Sequence, residues 1–258
     1  MAPAFTIKSP QTGTEYWIFV EAPDPAREPG PWPAVAFMDG DNLFQFAADG
    51  YRQARAAREL PPILLLGVGY GAGFGKPRNK RLRDYTATAM ATEKGSGGAE
   101  AFHSFLADTL WPELARRYPL RASARGLAGH SLGSLLVLHG LFRPQPFFTH
   151  YLAGAPSIWW DDRSVLAQVA HLRERQEELR ARLYLGVGAE DTPSMTGDLT
   201  LLERQLKENP FAGLEIIPER FPGRNHYDVV PDEFRSGLRA LFGPPEGSTA
   251  RNEPAFQI

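Results

Sequence analysis

The sequence predicts an α/β fold, a mostly parallel sheet with helices on both faces. Three observations carry this. Short continuous apolar runs, at 33–38 and 61–68, have the pattern of strands buried on both sides. They alternate with stretches of helical period. The clearest is 98–118, where Phe102, Phe105, Leu106, Leu110, Leu114 and Tyr118 recur at spacings of three and four. The third is Gly129-His130-Ser131-Leu132-Gly133, a G-x-S-x-G pentapeptide set between an apolar run and a helix-like run. Strand, sharp turn and helix is the context of a nucleophile elbow.

In chain order, 5–7 and 15–20 form a leading antiparallel pair of strands around a turn at 11–13. Prolines 23, 25, 29, 31 and 33 mark a surface loop. The strand 33–38 ends in the turn Asp39-Gly40-Asp41-Asn42, with a helix expected over 43–60 and a second buried strand at 61–68. After the helix at 98–118 come the elbow strand and its helix at 126–142, a strand at 149–153 and a charged helix at 163–182. Strands at 182–187 and 214–217, a helix at 199–208 between them and a closing helix at 232–242 complete an eight-stranded sheet. No internal repeat or linker divides the chain. One domain is expected over 1–242, followed by an irregular, proline-containing tail at 243–258.

The 258 residues are 43% hydrophobic, ample for one large core. A net charge of −2 suggests neither nucleic acid nor an acidic membrane as partner. The absence of cysteine removes disulfides, thiolate metal sites and a cysteine nucleophile. The N-terminal residues do not have the form of a signal peptide, and no apolar run is long enough to span a membrane. The expectation is a cytoplasmic protein acting on a small molecule; nothing in the sequence indicates an oligomeric state.

A glycine-rich run at 67–75 competes with the elbow for attention. Gly67-x-Gly69-x-x-Ala72 imitates a dinucleotide fingerprint, and Lys76 imitates the end of a P-loop. The residues after Gly75 exclude both. The fingerprint needs a helix N-terminus, but the chain continues Lys76-Pro77-Arg78-Asn79-Lys80-Arg81, which is polar and proline-broken. A P-loop needs Ser or Thr after its lysine, and Pro77 stands there. A flexible basic loop over a site is the better reading.

Three strand-end loops offer compatible chemistry. Ser131 lies on the elbow, Asp191 past the strand ending at 187, and His226 past the strand ending at 217. The order Ser, Asp, His is that of α/β-hydrolases. Ser131 needs a base, His226 can take and return its proton, and a carboxylate can orient the imidazole. Asp191 is favoured for that carboxylate because it stands three residues after Gly188; Glu190 is the competing choice. Leu132 N–H is one oxyanion donor, and the backbone of Gly40 and Asp41 is the natural source of a second. Each residue also has a plainer reading, Asp191 as a helix cap and His226 as a loop histidine.

Several further segments carry a family resemblance. They are Phe37-Met38-Asp39-Gly40, Arg81-x-x-Asp84-Tyr85-Thr86, Gly97-Gly98-Ala-Glu-Ala-Phe102, Ala155-Pro156-Ser157-Ile158-Trp159-Trp160 and Val187-Gly-Ala-Glu-Asp191, together with the elbow and His226. Over 5–242 the chain resembles the esterase D type of esterases, and within it the enterobactin and salmochelin esterase branch. The resemblance implies an α/β-hydrolase fold without a large lid and cofactor-free, metal-free hydrolysis of carboxylic esters. It implies Ser131 as nucleophile and His226 as base. In the siderophore branch the third member is Glu in some cases, and others lean on a Ser–His dyad. Ser134 departs from the family's usual glycine. For substrate, the resemblance suggests Arg81 as a contact for an anionic or catecholate group, against an ion pair with Asp84. Trp159, Trp160, Tyr70 and Tyr85 would line an aryl-friendly pocket or serve as core and rim. The same fold hosts S-formylglutathione hydrolases, feruloyl and acetylxylan esterases and acyltransferases, so acyl transfer, thioester hydrolysis and a catalytically silent binding role stand beside ester hydrolysis.

Overall fold

The computed structural model describes residues 1–244. The tail expected at 243–258 therefore lies almost wholly outside the described residues. A single eight-stranded sheet runs through the molecule in the order β1-β2-β4-β3-β5-β6-β7-β8. The strands are β1 (Phe5–Lys8), β2 (Glu15–Glu21), β3 (Trp32–Phe37), β4 (Leu64–Gly69), β5 (Leu120–His130), β6 (His150–Gly154), β7 (Glu178–Gly188) and β8 (Ala212–Phe221). Pairings β1–β2 and β2–β4 are antiparallel and all others parallel. Every residue of β3 and β4 is buried, as their unbroken apolar runs require.

Helices α1 (Gly40–Ala56) and α8 (Val230–Phe242) cover one face, packing Phe44, Phe234 and Leu238 against Phe37 and Leu65. The other face carries α5 (Leu132–Leu141), α6 (Trp160–Arg175), α7 (Pro193–Glu208) and one long interrupted helix. That helix is α3 (Ala99–Ser104), a π-helical stretch (Phe105–Leu110) and α4 (Trp111–Arg117). It breaks its α-ladder just before Pro112, which has no N–H to donate. A short helix α2 (Arg81–Asp84), with no counterpart in the sequence reading, precedes it.

Two boundaries differ from expectation for clear reasons. The charged stretch at 163–182 does not stay helical to its end; β7 begins at Glu178. Residues 178–181 alternate exposed and buried, with Leu179 and Ala181 inside, and this two-residue period is masked by the flanking charges. Helix α1 starts at Gly40 rather than residue 43, because Asp39 adopts a left-handed conformation (φ 57°, ψ 43°) and turns the chain at once.

The topology fixes where a site can form. After β3 the chain passes through α1 on one face; after β5, its neighbour, it passes through α5 on the other. Strands whose connections diverge to opposite faces leave a crevice at their carboxyl ends. The β3 turn and the elbow meet there.

Candidate active site

Ser131 sits between β5 and α5 with φ 57° and ψ −121°, a strained conformation for a residue with a side chain. Close packing holds it there. A Cβ on Gly129 would fall 2.4 Å from the carbonyl carbon of Gly133. A Cβ on Gly133 would lie 3.2 Å from Met38 Cβ and 3.4 Å from Asp39 Oδ2, so the elbow helix rests on the β3 turn. Ser131 N–H donates to Gly154 O at 2.9 Å, and Ser157 N–H donates to Ser131 O at 3.2 Å. Ser134 hydroxyl lies 2.6 Å from both Gly129 O and Gly154 O, tying the elbow strand to β6. The departure from glycine at this position is thus a polar clasp buried in the elbow.

His226 Nδ1 donates to Asp191 Oδ2 at 2.8 Å, which leaves Nε2 free to accept a proton. Asp191 Oδ1 takes the Thr192 N–H at 2.6 Å, so both carboxylate oxygens are engaged. The Asp191 side chain is fully buried, that of His226 one-fifth exposed. The loop carrying His226 lies directly on the end of β7: a Cβ on Gly188 would fall 2.2 Å from Arg224 O. Asn225 stiffens that loop by accepting from Tyr227 N–H at 2.8 Å while its own N–H donates to Asp228 at 2.7 Å. The His226 ring packs on the ring of His130, the residue before Ser131, with centroids 4.6 Å apart. Ser131 Oγ itself lies 3.3 Å from Ser157 Oγ, and among the described residues no hydrogen bond joins it to His226. Nucleophile–base bonds are often long in unliganded enzymes.

The β3 turn is locked from three sides. Asp39, buried, makes a two-pronged ion pair with Arg81 at 2.9 and 3.0 Å. Asp39 N–H donates to the Tyr85 hydroxyl at 2.9 Å. A Cβ on Gly40 would fall 2.9 Å from the Gly67 and Val68 backbone. Gly40 and Asp41 open α1 and Leu132 opens α5, so their N–H groups have no partner within their helices. Two helix N-termini thus present free donors at one crevice, an arrangement suited to a developing oxyanion.

The sequence pattern of the family described as "Putative esterase" matches residues 9–226. The chain belongs to this esterase family. Ferri-bacillibactin esterase BesA of Bacillus subtilis is 26% identical over 253 residues, covering 89% of this chain and 85% of that protein. A siderophore triacetylfusarinine C esterase of Aspergillus fumigatus is 35% identical over 162 residues, covering 60% of this chain and 55% of that protein. The crystal structure of the BES protein from Bacillus cereus superimposes with a TM-score of 0.80 at 26% identity, covering 91% of this chain and 92% of that one. The protein is a carboxylic ester hydrolase of α/β-hydrolase fold.

Several sequence expectations for this esterase sharpen or change. Arg81 is paired with Asp39 and not with Asp84; Asp84 instead pairs with Arg83 and accepts from the hydroxyls of Tyr16 and Tyr70. Burial holds the Asp84 carboxyl above the usual range despite those partners. Tyr85, Tyr70 and Trp160 are buried, so they do not line an accessible pocket. Tyr85 supports the β3 turn, and Trp160 Nε1 donates to Thr88 Oγ1 at 3.2 Å. Trp159 is 47% exposed and remains free to meet a ligand. Glu190 is exposed and carries no bond to His226. Ser157 and Tyr227 enter the site unforeseen. Ser157 lay inside a family motif, and Tyr227, 84% exposed, adjoins His226. Among the described residues no group of three or more His, Asp or Glu side chains could hold a metal, and no helix is long and apolar enough to cross a membrane.

Proposed function

We propose that this esterase works through an acyl-enzyme on Ser131, with His226 as base and Asp191 as its orienting acid, on esters that carry aryl groups, siderophore esters foremost. The observation that carries the reading is the 2.8 Å bond from His226 Nδ1 to a buried Asp191, beside a serine on a strained elbow. In the first half-reaction His226 Nε2 takes the Ser131 proton as Oγ attacks the ester carbonyl. The carbonyl oxygen becomes an oxyanion and receives hydrogen bonds from Leu132 N–H and from Gly40 or Asp41 N–H. His226 then gives its proton to the departing alkoxide, and the C–O bond breaks. Water repeats the sequence on the acyl-enzyme and releases the acid. Asp191 stabilises the transient imidazolium and keeps the proton on Nδ1 in the resting state. The Ser157 hydroxyl parks Ser131 Oγ before substrate arrives.

The aryl preference draws on exposed aromatics one step from the site and on the relatives. Trp159 stands two residues after Ser157, Tyr227 follows His226, and the Phe74 ring centroid lies 4.8 Å from the Arg81 guanidinium. Aromatic rings stranded in solvent are suited to gripping aryl rings. Arg81 keeps Nη1 clear of Asp39, which leaves that nitrogen's two N–H groups for an anionic or catecholate oxygen. The test is a panel of ferric and apo catecholate siderophores, feruloyl esters, acetylated sugars and S-formylglutathione, run with wild type and Ser131→Ala. Catecholate esters are expected to be cleaved fastest, with no turnover by the variant. Equal activity in both proteins would remove the serine mechanism. A preference for acetylated sugars or S-formylglutathione would remove the aryl assignment.

A further inference from the structure

Helix α8 sends one charged side chain into the sheet. Glu233 is fully buried; its carboxylate fills space that Gly154 leaves open, and its Cβ lies against Gly186. A Cβ on Gly154 of β6 would fall 2.1 Å from Glu233 Oε1, and one on Gly186 of β7 would lie 3.3 Å from Glu233 Cβ. His130 Nδ1 donates to Glu233 Oε1 at 2.6 Å, while Oε2 is buried without a hydrogen-bond partner. Burial pushes the Glu233 carboxyl above its ordinary range, opposed chiefly by His130. A half-satisfied buried carboxylate opposes folding, and an apolar side chain there would serve stability better. Stability therefore does not account for this residue. Its position does. His130 immediately precedes Ser131, and its ring is the surface on which the His226 ring packs.

We propose that Glu233 and His130 form a positioning pair behind the triad, holding the His226 ring in its working orientation and adding a second negative charge to steady the imidazolium formed there. The inference rests on the triad reading above. The negative charge assigned to the pair is that of the Glu233 carboxylate, held against His130 by the Nδ1–Oε1 bond. The groups facing Glu233 are His130 from β5, Asp191 from the turn after β7, His226 from the loop after β8 and Tyr184 from β7. Tyr184 is engaged with Glu219, and Arg235, on α8 itself, is engaged with Glu59. Asp191, the like charge among them, is engaged by His226 and by Thr192 N–H. Glu233 touches no substrate; it acts through His130.

Glu233→Gln tests this, because it keeps the shape and an acceptor for His130 while removing the charge. The readouts are the pH dependence of kcat/KM on an aryl ester and the rate at which a fluorophosphonate labels Ser131. Removing the charge is expected to lower kcat roughly tenfold with KM unchanged, and to move the acid limb of both profiles about half a pH unit or more toward lower pH. Glu233→Asp retains the charge and is expected to keep the limb near its wild-type position even where kcat falls. If Glu233→Gln does not accumulate as folded protein, His130→Phe carries the test. It keeps a ring against His226 but leaves Glu233 to take up a proton, and the same limb movement is expected. A folded variant whose profile superimposes on wild type overturns the second pair alone. Wild type that neither turns over esters nor labels at Ser131 overturns the triad reading, and this proposal with it.

Discussion

Asp191→Asn is the sharpest probe of the proposed mechanism, because the structure dictates how the new side chain must sit. Asp191 accepts on both oxygens, from Thr192 N–H at 2.6 Å and from His226 Nδ1 at 2.8 Å. An amide has one acceptor. The Thr192 N–H cannot rotate away, so the amide oxygen stays with it and the NH2 group faces His226. Nδ1 must then accept, which drives the imidazole proton to Nε2, the nitrogen that should receive the Ser131 proton. The electrostatic loss adds to this. An imidazolium and a carboxylate with charge centres about 4 Å apart attract by about 4 kcal/mol at an effective dielectric near 20. At about 1.4 kcal/mol per decade, kcat is expected to fall about 10³-fold, and toward 10⁴-fold if the wrong tautomer dominates. KM should stay within about twofold, since no substrate contact changes. The assay is steady-state hydrolysis of an aryl ester, with circular dichroism to show the fold intact. A kcat within tenfold of wild type in a folded variant would refute the assignment of Asp191.

Two more outcomes are expected from buried ionisable groups. Arg81→Met strands the buried Asp39 carboxylate and should cost about 3 kcal/mol in urea unfolding, with kcat falling because the β3 turn loosens. Unchanged stability would mean that Arg81 does not clamp Asp39, whatever it does for substrate through Nη1. Burial pushes His103 down to about 3 and lowers His139 as well, so both stay neutral in the native state while the unfolded chain protonates near pH 6.5. The His103 contribution is therefore full above about pH 6.5 and lost as pH falls toward 3, with a slope of about 1.4 kcal/mol per pH unit, and His139 acts in the same direction. Urea midpoints from pH 7.5 to 5 should show that His103→Gln flattens the slope by about this amount; an unaltered slope would mean that His103 protonates in the folded protein.

The elbow, the sheet and the order of the candidate residues are all legible in the amino-acid sequence, because they depend on short-range chemistry. Gly129 and Gly133 are needed where the backbone approaches within contact distance four residues apart, and the buried runs of β3 and β4 announce a two-sided sheet. The preference for Asp191 over Glu190 is half legible, through the spacing from Gly188; the bond to His226 and the exposure of Glu190 are tertiary facts that support it. The partner of Arg81 was not legible. Asp84, three residues along, is the obvious one, but Asp39 lies across the crevice 42 positions away and only the packing of β3 against its neighbours brings it there. For Tyr85 and Trp160 the sequence leaves pocket lining and core equally open, because residue type does not report burial; the fold puts both in the core. Glu233 was invisible for the same reason in reverse. On a strongly amphipathic helix an acidic residue near the first turn passes for a solvated cap. It points inward because the space it occupies exists only where two distant glycines and the elbow histidine come together around it, and that meeting is a product of the folded chain alone.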